Sequence, residues 1–119
     1  MTSYLQRRYP KQFKQFAGPQ NLSETRRFFA KTRILIGVHG GAFYNLHFAP
    51  NTATIVEYIG ANFDGRLPLT IGHTMIWTLT QNTGQTFYRV YEKPMNKELD
   101  IQINITKLET LLNRIEGDL

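Results

Sequence analysis

The chain contains no cysteine, which excludes disulfides and thiolate metal sites and gives no support for an oxidising compartment. Serine is almost as scarce. Ser3 and Ser23 are the only two, and neither sits in a Gly-x-Ser-x-Gly elbow, so a self-contained serine hydrolase is excluded. No stretch reaches the roughly 18 apolar residues of a membrane span. The start, MTSYLQRRYPKQFKQF, lacks the apolar segment of a secretory signal, so the chain as given is expected to be soluble. There is no Asp-x-Asp pair. Of the three histidines, His39 and His47 are eight apart with no carboxylate at metal-motif spacing, and no metal site is expected. Acidic residues are rare in the first 33 positions, where eight basic residues face Glu24 alone, a balance of +7. The rest of the chain carries six basic and eight acidic residues, a balance of −2. A basic end can attract phosphate groups, but no nucleic-acid recognition motif accompanies it.

What is present suits an ordinary globular protein. At 119 residues and 41% hydrophobic, the chain fits one domain spanning 1–119 that hides roughly two thirds of its unfolded surface. Strand-like and helix-like segments alternate. QFKQFA, residues 12–17, reads as a first strand, ended by Gly18 and Pro19. Asn21 with Glu24 three residues on forms a capping box for a helix running to about Lys31. Ile34 to Val38 is a short apolar run of the kind buried in a parallel sheet. Ala42 to Phe48 reads as a short helix stopped by Pro50. Thr54 to Ile59 is a second buried strand, followed by a loop with Gly60, Gly65 and Pro68. Residues 72–82 read as a helix ended by Gly84, and 87–92 as a strand. Pro94 and Asn96 mark a loop, and DIQINI, residues 100–105, alternates like an edge strand. Thr106 and Glu109 suggest a capping box for a last helix, whose stripe is Leu108, Leu111, Leu112 and Ile115. Asn21 and Asn104 also head glycosylation sequons.

This order predicts an α/β fold, a Rossmann-like, mostly parallel sheet flanked by helices. Ligands of such sheets bind at the carboxyl ends of the strands. The turn at such an end here is unusually rich in glycine: GVHGG, Gly37 to Gly41. Tight backbone geometry explains such a turn without any ligand. A dinucleotide fingerprint fits poorly, because the third glycine of Gly-x-Gly-x-x-Gly is missing. A phosphate cradle fits better. Backbone N–H groups of the turn and the following helix start would face the anion, with His39 adding a hydrogen bond or a charge. Glu57 follows 18 residues after His39 in a strand-helix-strand unit, where a carboxylate can accept hydrogen bonds from ribose hydroxyls. Asn45 is suited to bracing the turn. His73 and Thr74, near a helix start, are further phosphate contacts in this reading.

IGVHGGAFYNLHFAPNTATIVEY resembles the C-terminal half of glycosyltransferase family 61, through Gly37, His39, Gly40, Asn45, Leu46, Phe48, Pro50 and Glu57. TLTQNTGQTFYRVY and DIQINITKLETLL are similar to later segments of that family. Tyr44 departs from the pattern by replacing a threonine with a bulky ring, and His47 stands where an apolar residue is usual. The resemblance implies an inverting glycosyltransferase, and within it one half of a GT-B-like fold that binds a nucleotide-sugar donor, a UDP-sugar, with no cofactor. The substrate contacts implied are His39, Gly40, Gly41, Asn45, Glu57, His73 and Thr74, and no catalytic base is assigned. The partners implied are the nucleotide sugar, a glycan or glycoprotein acceptor, and a missing N-terminal domain or partner chain. On that reading the chain is a fragment, inactive in isolation. Family members work in the Golgi or endoplasmic reticulum lumen or in the bacterial cytoplasm. The alternative is a non-catalytic Rossmann-like domain that pairs with a partner chain or binds nucleic acid.

Overall fold

The computed structural model describes residues 1–18, 21–60, 71–93, 95 and 101–117. They fall into two units, Gly18–Ile101 and a second made of Met1–Ala17 with Gln102–Leu119.

The larger unit begins with α2, Leu22–Phe29, since α1 belongs to the other unit. The Asn21 side chain accepts the Glu24 N–H at 2.9 Å, as the capping pattern predicts. Three strands follow: β1 (Ile34–Val38), β2 (Thr54–Gly60) and β3 (Thr86–Glu92). They form a parallel sheet in the order β1-β2-β3. The fold is therefore α/β with a parallel sheet flanked by helices, compatible with a Rossmann-like arrangement. Every residue of the central strand β2 is buried, which is why TIVEYIG reads as a continuous run rather than an alternating one.

The link from β1 to β2 is a 3₁₀ helix over Gly41–Phe48, where the sequence suggested an ordinary short helix. Eight residues is long for this helix type. Its three-residue turn explains the choice. Phe43, Leu46 and Ala49 are spaced by three, stack on one face, and are all buried. Tyr44 and His47 form the exposed row beside them. An α-helix would rotate Ala49 away from that face. Phe43 and Leu46 of this row meet Ile55 of β2 and Ile76 of α3 (Ile71–Thr83), with Leu35, Leu79 and Phe87 packed around them.

Gly84 ends α3 in a left-handed conformation, φ 76°, as a C′ glycine should. Just beyond it, the buried side chain of Gln85 reaches back to the end of the 3₁₀ helix. Its Nε2 donates to the carbonyls of Leu46 at 2.8 Å and Pro50 at 3.1 Å. Thr83 Oγ1 donates to Gln85 Oε1 at 2.8 Å, fixing which way the amide faces. These carbonyls also accept the N–H groups of Ala49 and Ala53, both at 3.0 Å, so Gln85 adds a second donor that ties the α3–β3 turn to the end of the 3₁₀ helix.

The smaller unit contains α1 (Thr2–Arg8) and α4 (Ile105–Gly117), with Leu5, Leu108, Leu112 and Ile115 buried. Arg8 Nη2 bonds Glu116 and Asn113, each at 2.8 Å, and Nη1 bonds the Tyr4 hydroxyl at 3.0 Å. Tyr9 donates to the same Glu116 carboxylate.

Three sequence expectations are corrected here. Residues 12–17 form no strand, and α1, which the sequence reading missed, precedes them. QFKQFA has only two phenylalanines, spaced by three, and no partner strand to complete a ladder. Residues 102–104 are likewise irregular, with Ile101 in an isolated bridge, while Asp100 lies outside the described residues. The cap of α4 is Asn104, whose Oδ1 accepts the Lys107 N–H at 3.0 Å, rather than Thr106. Both sequon asparagines are therefore helix N-caps. The loop with Gly65 and Pro68, and Pro94 and Asn96, lie outside the described residues. Among the described residues no helix is long and apolar enough to cross a membrane.

Candidate functional site

Register brings the site together. In the parallel ladder Gly37 faces Glu57, and Glu57 faces Arg89. Strand alternation puts these three on the same side of the sheet as Leu35, Ile55 and Phe87, the side covered by the 3₁₀ helix and α3. One row of the sheet thus carries no side chain on β1, a carboxylate on β2 and a guanidinium on β3.

Glu57 is completely buried. Burying a carboxylate is costly unless it is paired and hydrogen-bonded, and here both oxygens are engaged. Arg89 donates twice to Oε1, from Nε at 2.8 Å and Nη2 at 2.7 Å. Oε2 is 2.7 Å from His39 Nδ1. An ionised carboxylate only accepts, so Nδ1 carries the proton of this bond and the imidazole orientation is fixed. His39 lies one residue past β1, and its own N–H extends the ladder by donating to the Tyr58 carbonyl at 2.7 Å. Arg89 is further held by the Phe87 ring, 5.5 Å from its guanidinium carbon. The side chains are graded in exposure from Glu57 at 0% through Arg89 at 15% to His39 at 28%, so His39 is the member that meets solvent.

The glycines of the turn have different reasons. A Cβ on Gly37 would stand 3.1 Å from the Phe43 ring, so this glycine lets the 3₁₀ helix settle on the sheet. Gly40 is exposed and extended, and a Cβ there would meet only ordinary contact. Packing does not demand glycine at Gly40. Gly41 opens the 3₁₀ helix.

Of the seven residues singled out from sequence, the structure brings His39 and Glu57 into direct contact, with Gly40 and Gly41 adjoining. Asn45 is half-buried on the 3₁₀ helix, and among the described residues its side chain makes no hydrogen bond to the turn. The bracing comes from Gln85 instead. His73 and Thr74 contribute backbone to the first turn of α3, and their side chains lie outside the described residues.

Sequence reasoning missed Arg89. The available signal was its phase in TFYRVYE, level with Phe87 and Tyr91, which puts a guanidinium on the packed face of a strand. Only the register identifies its partner. Among the described residues no group of three or more histidine, aspartate or glutamate side chains is arranged to hold a metal ion.

No match to the chain is found among curated proteins or solved structures. A family model does match, over residues 1–56, just under half of the chain. The matched span includes α2, β1, the glycine turn and the 3₁₀ helix, and ends one residue before Glu57. The segments after Glu57 that resemble the family lie beyond it. The matching model is described as Glycosyltransferase 61, and it supports an assignment to that family and, in general terms, a glycosyltransferase function.

Proposed function

We propose that residues 18–101 bind the nucleotide-sugar donor of an inverting glycosyltransferase, with the diphosphate over the turn from His39 to Gly41. The observation that carries this is the buried Glu57 holding a part-exposed imidazole at the carboxyl end of a parallel strand. Three further features support it. Gly40 leaves the backbone open to close approach where packing does not require it. The following 3₁₀ helix points its first turn at the same place. The family match covers the whole turn.

The roles follow from the geometry. His39 contacts the phosphates and stabilises the negative charge that builds on the departing nucleoside diphosphate. Glu57 orients His39 rather than holding ribose, since its oxygens already accept three donors. Arg89 holds that carboxylate in place. Asn45, His73 and Thr74 complete the set of substrate contacts in this reading. In this reading the donor is a UDP-sugar and the acceptor a glycan or glycoprotein. The chain is one half of a GT-B-like pair, and the acceptor side comes from a second domain or partner chain.

Calorimetric titration with UDP and UDP-sugars tests it. UDP should bind, and His39→Ala should weaken it by about tenfold, the loss of one charge-assisted hydrogen bond. Glu57→Gln should weaken it less while the fold persists. Absence of heat with every nucleotide, or binding untouched by His39→Ala, defeats the proposal. Strongly salt-dependent RNA binding in its place would favour the non-catalytic alternative.

A further inference from the structure

A second basic site lies in the same unit, formed where α2 packs against the far end of the 3₁₀ helix. It is an open groove of about 320 Å³ lined by Arg26, Arg27, Ala30, His47 and Phe48. That volume is at the small end of the roughly 300–1,000 Å³ range of ligand sites, enough for a ligand on the order of one or two sugar rings.

Its chemistry is one-sided. Arg26, Arg27 and His47 all line it, and among the described residues none of them is paired with a carboxylate. Among the described residues the one hydrogen bond of Arg27, from Nε to the Ser23 carbonyl, is 3.5 Å long and leaves the fork of its guanidinium unused. Basic residues at the end of a helix complement its dipole, and that accounts for cations on α2. It does not account for the opposite wall, where the 3₁₀ helix presents His47 and Phe48 with their rings 4.2 Å apart. His47 is also the position where the family pattern is apolar. Ala30 also lines the groove and adds little bulk.

We infer that this groove binds the carboxylate-bearing sugar of an acidic oligosaccharide. Two adjacent guanidiniums offer the planar fork that matches a carboxylate. The aromatic wall offers apolar ring surface to the apolar side of a pyranose ring. The inference rests on the carbohydrate-enzyme reading above, and adds to it a site separate in residues from the donor turn. The occupant is an acidic segment of the acceptor that extends beyond the part held by the second domain or partner chain.

The test uses the whole chain and two calorimetric titrations, one with trigalacturonic acid and one with UDP. Trigalacturonic acid should bind, neutral galactotriose should bind at least tenfold more weakly, and Arg26→Gln with Arg27→Gln should abolish the difference. Arg26→Lys with Arg27→Lys keeps the charge but loses the fork, and should recover only part of the affinity. Both arginines are exposed, so circular dichroism should show the variants folded. UDP binding should be unchanged by the Arg26 and Arg27 variants, and trigalacturonic acid binding unchanged by His39→Ala. Equal binding of the neutral and acidic sugars overturns the inference. So does less than a twofold loss in the double glutamine variant, or inorganic sulfate competing at the same concentration as the sugar. If UDP does not bind but trigalacturonic acid does through Arg26 and Arg27, the groove stands and the donor site falls.

Discussion

Replacing Arg89 by methionine is the sharpest test of how the sheet row is built. Methionine keeps most of the stem volume against Phe87 and removes both bonds to Glu57 Oε1. Glu57 has no exposure, so water cannot replace them. One donor remains, from His39 to the other oxygen. Breaking a buried pair from one side costs about 3–5 kcal/mol. The 15% exposure of Arg89 and the surviving His39 bond put this case at the lower end, about 3 kcal/mol. With a urea slope of about 1.5 kcal/mol per molar, the midpoint should fall by about 2 M. The assay is urea unfolding followed by far-ultraviolet circular dichroism. Adding Glu57→Met to Arg89→Met removes the stranded charge, and the double variant should recover about 2 kcal/mol of that loss. A single-variant loss under about 1 kcal/mol, the size of an exposed pair, would refute the reasoning, as would strictly additive losses in the cycle.

Three further outcomes are expected. Gly37→Ala pushes a methyl to 3.1 Å from the Phe43 ring and should cost about 1–2 kcal/mol, part of it returned by Phe43→Leu in a thermal melt. Gln85→Ala removes the side-chain bonds to the carbonyls of Leu46 and Pro50, which keep the N–H groups of Ala49 and Ala53, and should cost about 1 kcal/mol, with faster amide exchange concentrated at the end of the 3₁₀ helix. Tyr58 lies on the opposite face of the sheet, and its buried hydroxyl has no hydrogen-bond partner among the described residues. Burial, and then the charge of Glu92, push its phenol up from 10.0 to about 12. Between those pH values the folded state holds a proton that the unfolded state has lost. Its stability contribution is therefore fully present below pH 10 and falls by up to roughly 3 kcal/mol as pH rises to 12. Tyr58→Phe should remove that component from the pH profile of unfolding and raise stability at pH 7 by about 1 kcal/mol.

The candidate-site residues were legible in part because strand ends and turns leave local marks. Gly40 beside His39, with a β-branched run before them, identifies a strand-to-helix turn without any tertiary information. Glu57 could be suspected because a carboxylate directly after Thr-Ile-Val has no ordinary reason to be buried. Its partner on β3 was not legible, for a physical reason. A buried carboxylate takes whatever donors the neighbouring strand supplies, and that depends on register. Arg89 is 32 positions from Glu57 along the chain, and nothing local joins them. Gln85 and the 3₁₀ helix carbonyls are a similar long-range pair.

By itself the sequence determined the elements whose causes are local. These are the Asn21 cap, the apolar runs of β1 and β2, the Gly84 stop of α3, and the apolar stripe of α4. The alternation of those elements also determined a parallel α/β sheet, since parallel strands need crossovers. Tertiary structure alone decided the remainder. It turned residues 12–17 and 102–104 away from strand, because a strand exists only with a partner to bond. It wound residues 41–48 as a 3₁₀ helix, because Phe43, Leu46 and Ala49 reach one core face only at three residues per turn. It also aligned Gly37, Glu57 and Arg89 in one row, because a parallel ladder couples residues by register and not by distance along the chain.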